Sequence, residues 1–219
     1  MNQKLRRKLR RNILKASFES GACHIGSALS CVDILIDLYW NKLRQNDIFL
    51  FSKASGVCAL YAVLAEKGYF PEKKIAYYLK KYPLPDKHVP GVIHSLGSLG
   101  HGLPVAVGLA LGDRTRDVYV LMSDAEIQEG TTWESILFAA HHNLDNLKII
   151  VDRNMYQACG ATEEILAIDI ALDILQELFP IKVVETIKGK GVSFMENRVE
   201  WHYKNLTKEL YEKAILENS

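Results

Sequence analysis

The sequence predicts an α/β fold with a mostly parallel central sheet and helices on both faces. Two apolar runs, 118–123 and 147–152, have the length and composition of buried strands, and a helical pattern separates them. The runs at 48–51 and 181–187 are further strand candidates. Since strands that alternate with helices usually pair in parallel, these runs favour one layered α/β architecture.

The predicted helices follow from apolar residues at helical spacing, and glycine or proline marks several of their ends. Gly21 ends the first helix, and Gly68 with Pro71 stops the third. The proline-rich segment 83–91 is expected to be extended and irregular, and a loop is expected at 154–164. The predicted helices cover residues 3–20, 31–43, 58–66, 103–111, 131–142, 168–178 and about 206–215.

We expect the whole chain, residues 1–219, to form a single domain. Its 219 residues are enough for one sizeable core or two small ones, and no repeat, low-complexity tract or obvious linker interrupts the sequence. The formal net charge of +1 provides no overall field that would favour nucleic acid or an anionic membrane as a partner. The basic segment 4–11 is interpreted as the solvated face of an amphipathic helix, with a membrane-surface or nucleic-acid patch as the alternative.

Cysteine usage and hydropathy indicate the compartment. The four cysteines are scattered without a Cys-x-x-Cys pair, and Cys23, Cys31 and Cys58 lie in or beside apolar runs, as is typical of buried thiols in a reducing environment. No apolar stretch approaches the length of a membrane span, and no signal-peptide pattern precedes the first helix. The sequence therefore predicts a cytoplasmic protein.

An aspartate and an asparagine, Asp124 and Asn154, lie just beyond the strand candidates 118–123 and 147–152. Either residue alone could be an ordinary helix cap or turn residue. Together they favour a ligand site, because open α/β sheets bind ligands at the carboxyl ends of their strands. Their oxygens are suitable ligands for Mg²⁺ or Ca²⁺, which often bind together with phosphate groups. Ser123 and Ala125, however, occupy positions where a tight phosphate-binding turn would favour glycine.

Two further features could contact a ligand. The glycine-rich loop 97–102 can bring bare backbone amides close to a ligand, although many such turns only reverse the chain. Of the seven histidines, His24 and His202 lie in irregular, glycine-adjacent segments and are the better functional candidates. His141 and His142 lie on a predicted helix and are expected to be structural or solvent-facing.

From the first helix to about residue 205, the chain resembles the amino-terminal, diphosphate-binding domain of transketolase, in the form of the enzyme that is split over two chains. The resemblance rests on many short segments in the family's order. They are CHIGSALS (23–30), ALYAVLAEKGY (59–69), PGV (90–92), GSLGHG (97–102), SDAEIQEG (123–130), LDNL (144–147), VDRN (151–154) and KGKGVSFMEN (188–197), followed by Trp201 and His202.

The resemblance implies the thiamine diphosphate-binding fold, with the cofactor held through Mg²⁺ (or Ca²⁺). Asp124 and Asn154 match metal ligands, and the backbone carbonyl of Tyr156 is the expected third. The loop residues Gly97, Ser98 and Leu99 match cofactor-binding positions, of which Gly97 and Leu99 face the aminopyrimidine, and Ala125 lies beside the diphosphate.

Three catalytic positions are also implied by the resemblance. His24 and His202 match histidines near the substrate and the diphosphate, so His202 is expected to bind the cofactor as well. Glu129 matches a subunit-interface glutamate that couples two active sites by hydrogen bonding. The family's glutamate that activates the aminopyrimidine belongs to the pyrimidine-binding domain, which is not among these residues.

A separate pyrimidine-domain subunit is therefore the expected partner, in an α₂β₂ heterotetramer. The implied reaction is transfer of a two-carbon ketol unit between sugar or sugar phosphate substrates, with an unusual sugar of a surface polysaccharide as one possibility. The alternatives are a non-catalytic scaffold or regulatory relative, and another thiamine diphosphate-dependent carboligase. Neither nucleic acid nor a membrane is expected as a partner.

The chain departs from the family pattern at several positions. Ser123 and Ala125 replace two glycines, Ser55 replaces an active-site histidine, and a second histidine is replaced by Leu84 or missing. The stretch 165–181 is shorter than the family's counterpart. These departures are compatible with an altered substrate, weaker cofactor affinity or lost catalysis.

Overall fold

The computed structural model describes residues 3–219, which form nine α-helices and four strands. The helices are α1 (Gln3–Ser20), α2 (Ile25–Asp37), α3 (Val57–Glu66), α4 (Ile75–Lys81), α5 (Gly102–Gly112), α6 (Gly130–His141), α7 (Thr162–Ile165), α8 (Asp169–Leu178) and α9 (Lys208–Glu217). The strands are β1 (Ile48–Phe51), β2 (Val118–Ser123), β3 (Leu147–Arg153) and β4 (Ile181–Glu185).

The described residues divide into two compact units. The sheet unit contains Leu43–Ala54 and Leu96–Glu185. The helical unit contains Ser55–Ser95, Thr186–Ser219 and the described residues up to Lys42. The expectation of one domain over 1–219 stays a prediction.

The four strands form one parallel sheet in the order β1-β2-β3-β4. In its register, Phe51 of β1 lies beside Leu121, and Ser123 at the end of β2 lies beside Asp152. The carboxyl ends of β2 and β3 are therefore adjacent, as the predicted ligand site at Asp124 and Asn154 requires. The predicted α/β fold with a parallel sheet flanked by helices is confirmed.

The core of the sheet unit lies between the strands and helices α5, α6 and α8. On the strands, Val120 and Ile149 belong to it, and the buried alanines Ala106 and Ala110 of α5 let that helix approach closely. Along α8, Leu172 and Leu175 recur at helical spacing and are buried. This core supports the strand ends that carry the candidate site.

The helical unit is built around α1, which packs against α2, α3, α4 and α9. Its apolar face carries Leu9, Ile13 and Leu14, all fully buried. The assignment of the basic segment 4–11 to a solvated face is wrong for Arg10, which is only 7% exposed. Its Nη2 donates to Asp33 Oδ2 at 2.8 Å, and its Nε donates to the carbonyl oxygen of Lys190 at 3.2 Å.

Several predicted boundaries need correction. Helix α2 begins at Ile25 instead of 31, because its small residues pack tightly: a Cβ at Gly26 would come within 3.3 Å of Lys188 and Trp201 side-chain atoms. Helix α4 was not predicted, although its buried Ile75 and Leu79 stand four positions apart. Strand β4 ends at Glu185, and the predicted 154–164 loop includes the short helix α7.

Two further expectations concern cysteines and membrane segments. Cys31 and Cys58 are buried and Cys23 is partly exposed, and all four cysteines are free thiols. Over residues 3–219, every helix is too short or too polar to cross a bilayer.

Candidate functional site

Asp124 lies at the point where β2 ends and a 3₁₀ turn, Asp124–Gln128, begins. Its side chain is 1% exposed, and both carboxylate oxygens accept backbone hydrogen bonds: Oδ1 from Ala125 at 2.9 Å and Oδ2 from Met155 at 2.8 Å. Burial raises the pKa of Asp124 above its usual range and the negative Asp152 adds to this, while nearby Lys53 opposes it. The carboxylate is therefore held in one orientation in a site where a cation would stabilise its charge.

Asn154 follows β3 and is equally buried. Its Oδ1 accepts a hydrogen bond from the N–H of Tyr156 at 3.0 Å. Between them, Met155 has a left-handed backbone (φ 68°), which turns the chain so that its N–H reaches Asp124. The loop after β3 is thereby fastened to the end of β2, as the sequence predicted for the two strand ends.

This set of donors fits a hard divalent cation. A carboxylate has about four lone-pair positions, and Asp124 uses two of them in its backbone hydrogen bonds. Carboxylate, side-chain amide and backbone carbonyl oxygens are ligands that Mg²⁺ and Ca²⁺ prefer. Within residues 3–219, no three His, Cys, Asp or Glu side chains are grouped to hold a metal. The oxygen donors at the two strand ends are a candidate site for such a cation.

Sequence reasoning missed a buried ion pair beside Asp124. Lys53 Nζ lies 3.2 Å from Asp152 Oδ2, with side chains 2% and 0% exposed. The N–H groups of Ser52 and Lys53 both donate to the carbonyl oxygen of Leu121, which attaches the end of β1 to β2. The pair links the segment after β1 to β3 at the level of Ser123, and no local pattern could have revealed it.

Ser123 and Ala125, at positions where the family resemblance predicts glycine, cause no backbone strain. Ser123 has extended backbone angles (φ −88°, ψ 160°), and neither it nor Ala125 is among the residues with positive φ. The Ser123 hydroxyl donates to Glu126 Oε2 at 3.0 Å, within a capping box that begins the 3₁₀ turn. The S-x-x-E spacing at 123–126 was the overlooked sequence signal for this contact.

The glycine-rich loop needs glycine at two of its positions. Gly100 has φ +74°, and a Cβ there would lie 2.7 Å from Glu129 Cβ and 2.6 Å from Thr131 Oγ1. A Cβ at Gly102 would lie 2.3 Å from Ser52 Oγ. Before these tight positions, Gly97, Ser98 and Leu99 are exposed. Glu129 is partly exposed and packs against Gly100.

The two predicted histidines meet in the helical unit. The rings of His24 and His202 contact edge to face, with their centroids 4.7 Å apart. The backbone N–H of His24 also donates to the backbone carbonyl oxygen of His202 at 2.8 Å. Lys188, which sequence reasoning had not assigned to the site, is fully buried with Nζ 3.3 Å from His202 Nδ1. His24 precedes α2 with a left-handed backbone (φ 67°), and Cys23 Sγ lies 3.3 Å from its Nδ1. His141 and His142 lie at the carboxyl end of α6.

Comparison with known proteins identifies the family of this chain. Residues 5–200 match the family model described as "Transketolase, thiamine diphosphate binding domain". The chain is 37% identical over 238 residues to one subunit of the apulose-4-phosphate transketolase of Actinobacillus succinogenes, covering 88% of this chain and 86% of that protein. The corresponding subunit from Phocaeicola vulgatus is 31% identical over 258 residues, covering 97% and 92%.

A solved structure supports the same fold. The transketolase from Campylobacter jejuni superposes with a TM-score of 0.86 at 23% identity, over all of this chain and 43% of that one. The chain thus spans less than half the length of that transketolase. Together with the family match over 5–200, this shows that the chain belongs to the transketolase family and corresponds to its thiamine diphosphate binding domain.

Proposed function

We propose that this chain is the thiamine diphosphate-binding subunit of a split, transketolase-type transferase. The observation that carries the proposal is the buried pair of oxygen donors, Asp124 and Asn154, at the adjacent ends of β2 and β3. In a domain whose family binds thiamine diphosphate, this pair provides a place for the metal that neutralises a diphosphate.

In the proposed site, Mg²⁺ (or Ca²⁺) is held by Asp124, Asn154 and the backbone carbonyl of Tyr156. Thiamine diphosphate, when bound, supplies the carbanion chemistry of the reaction. The exposed loop residues Gly97, Ser98 and Leu99 contact the cofactor, and Ala125 lies beside its diphosphate. The chain's own task is to bind and orient the cofactor.

The histidine pair is proposed to bind oxygen atoms of substrate and diphosphate. We assign Nδ1 of His202 as the acceptor in its contact with Lys188 Nζ, since an ammonium group only donates hydrogen bonds. The ring proton of neutral His202 is then on Nε2, which can donate to an anionic oxygen. His24, in edge contact with this ring, can donate to a substrate oxygen and stabilise developing negative charge.

The names of two relatives support the proposed partner and substrate. Two similar proteins are each named as one subunit of an apulose-4-phosphate transketolase, which supports a separate pyrimidine-domain subunit for this chain. We propose an α₂β₂ complex in the cytoplasm, in which Glu129 couples two active sites, and transfer of a two-carbon ketol unit between sugar phosphates. The apulose relatives support an unusual sugar as substrate, while a role in surface-polysaccharide synthesis stays a prediction.

The test uses the chain co-expressed with a pyrimidine-domain subunit. Calorimetric titration with thiamine diphosphate in the presence of Mg²⁺ is expected to show saturable binding by the wild-type complex. Asp124→Ala should weaken this binding by more than about 100-fold, because even partners outside the ligand shell change metal affinity by about 10- to 100-fold. Exposed Asp145→Ala, in the same unit, is the matched control and should bind like wild type.

Two outcomes would contradict the proposal. A complex that is folded and assembled but does not bind thiamine diphosphate with Mg²⁺ favours the scaffold alternative. Binding that survives Asp124→Ala removes the proposed metal site. If the wild type binds the cofactor but transfers no ketol unit between sugar phosphates, another carboligation reaction becomes the better assignment.

A further inference from the structure

Glu126 is a fully buried carboxylate that accepts four hydrogen bonds from three separate segments. Its Oε1 accepts from the hydroxyl of Ser52, just after β1, and from the N–H of Gly100 at 3.1 Å, in the glycine-rich loop. Its Oε2 accepts from the N–H of Ser123 at 2.7 Å and from the Ser123 hydroxyl at 3.0 Å. All these residues belong to the sheet unit.

The backbone of Glu126 is equally constrained. Its carbonyl oxygen accepts the hydroxyl of Thr132 at 2.6 Å and the N–H of Glu129 at 3.2 Å, so it is also attached to the start of α6. Glu126 thus joins four parts of the sheet unit: the segment after β1, the glycine-rich loop, the end of β2 and the beginning of α6.

Burying a carboxylate to make such a link is unfavourable in free energy. Burial raises the pKa of Glu126, and the four hydrogen bonds oppose that rise by stabilising the ionised form. Each carboxylate oxygen accepts one backbone N–H, from Gly100 or from Ser123. Gly100 directly follows Leu99 and Ser123 directly precedes Asp124, so the carboxylate connects the neighbours of two proposed cofactor-binding residues.

We propose that Glu126 is a positioning residue that holds the aminopyrimidine-facing loop at a fixed distance from the metal ligand Asp124. This inference rests on the proposed function for its ligand, but the hydrogen-bond network itself is independent of that ligand. In this role Glu126 touches neither cofactor nor substrate. It acts through the backbone amides of Gly100 and Ser123, and it prepares the site before the cofactor arrives.

Replacing Glu126 by glutamine separates this role from simple space filling. The two side chains have almost the same volume, but glutamine has one acceptor oxygen and one NH₂ donor. The hydroxyls of Ser52 and Ser123 can rotate and accept from that NH₂ group. The backbone N–H groups of Gly100 and Ser123 cannot accept a hydrogen bond. In either orientation of the glutamine amide, one of these two N–H groups therefore faces the NH₂ donor of the side chain.

The experiment compares wild type, Glu126→Gln and the exposed matched control Glu164→Gln in the complex with the pyrimidine-domain subunit. Thiamine diphosphate affinity is measured by calorimetry at saturating Mg²⁺, and amide exchange is followed by mass spectrometry in peptides covering 97–102 and 123–126. Glu126→Gln is expected to weaken cofactor affinity by roughly 10- to 100-fold, as for other supporting partners of a metal site. It should also speed exchange in one of the two peptides, while Glu164→Gln changes neither.

Glu126→Asp provides a second readout, and becomes the main one if Glu126→Gln does not fold. It keeps the charge but is one methylene too short to reach both backbone donors, so it should show the same two effects. Ser52→Ala removes only a rotatable donor and should have a smaller effect on both. Wild-type affinity in folded Glu126→Gln or Glu126→Asp, or exchange unchanged in both peptides, would overturn the inference.

Failure of the inference and of the proposed function give different results. If the wild-type complex does not bind thiamine diphosphate, the proposed function and the positioning of a cofactor site fail together, whatever the exchange data show. If the wild type binds and the Glu126 variants bind equally well, only the positioning role is lost.

Discussion

Replacing Lys53 with methionine is expected to lower the free energy of unfolding by about 3 to 5 kcal/mol. Lys53 and Asp152 form an ion pair at 3.2 Å with almost no exposed side-chain surface, so removing the ammonium leaves a carboxylate buried without its cation. Equilibrium urea unfolding, followed by circular dichroism, measures the loss. Because Lys53 lowers the pKa of the neighbouring Asp124 and Asp152 raises it, loss of the Lys53 ammonium should raise the pKa of Asp124 as well.

Lys148→Met is the matched control for this substitution. Lys148 lies on β3 in the same unit, its Nζ is 4.0 Å from Asp117 Oδ1, and its side chain is 42% exposed. An exposed pair of this kind contributes less than about 1 kcal/mol. The double variant Lys53→Met with Asp152→Leu should recover part of the stability lost in Lys53→Met, since it removes both charges. Equal losses in Lys53→Met and Lys148→Met would contradict a stabilising role for the buried pair.

Replacing Gly189 with alanine should lower the free energy of unfolding by about 3 kcal/mol or more. Gly189 has φ +78°, and an added Cβ would lie 2.4 Å from the carbonyl oxygen of Met195, a backbone atom that cannot rotate away. The Gly189 N–H donates to the carbonyl oxygen of Gly26 at 2.9 Å, so movement of this turn should also disturb the start of α2. The same urea unfolding measurement applies.

Gly21→Ala separates backbone strain from steric overlap. Gly21 has a similar φ of +68°, but nothing lies within 4 Å of an added Cβ. Its substitution should therefore show only the left-handed penalty, about 1 to 2 kcal/mol. Since Lys188 precedes Gly189, Gly189→Ala should in addition shift the NMR signals of the His202 ring, which Gly21→Ala should leave unchanged. If the two alanine variants were equally stable, overlap with Met195 would not be the cause.

The sequence was informative where local pattern decides the structure. The apolar runs at 118–123 and 147–152 became β2 and β3 almost at their predicted ends, because a buried parallel strand needs a continuous apolar segment. The second helix was placed too late, since Gly26 and its small neighbours look like a loop in sequence. In the fold they are helical, because small side chains allow Trp201 and Lys188 to pack against them.

The candidate functional residues divide in the same way. Asp124 and Asn154 could be predicted from the sequence, since each follows its own strand and parallel strands end at one edge of a sheet. His24 and His202 could be predicted one at a time, but only the fold brings their rings into contact and adds Lys188. Their proposed catalytic roles depend on the family resemblance and not on local pattern.

By itself, the sequence determined the fold class, the two strand-end oxygen donors and membership of the transketolase family. The tertiary structure decided what surrounds those donors. Ser52 and Glu126 are 74 positions apart, yet they share a hydrogen bond. Buried polar groups need partners, and parallel strands bring those partners from distant parts of the chain, so no local pattern can specify them.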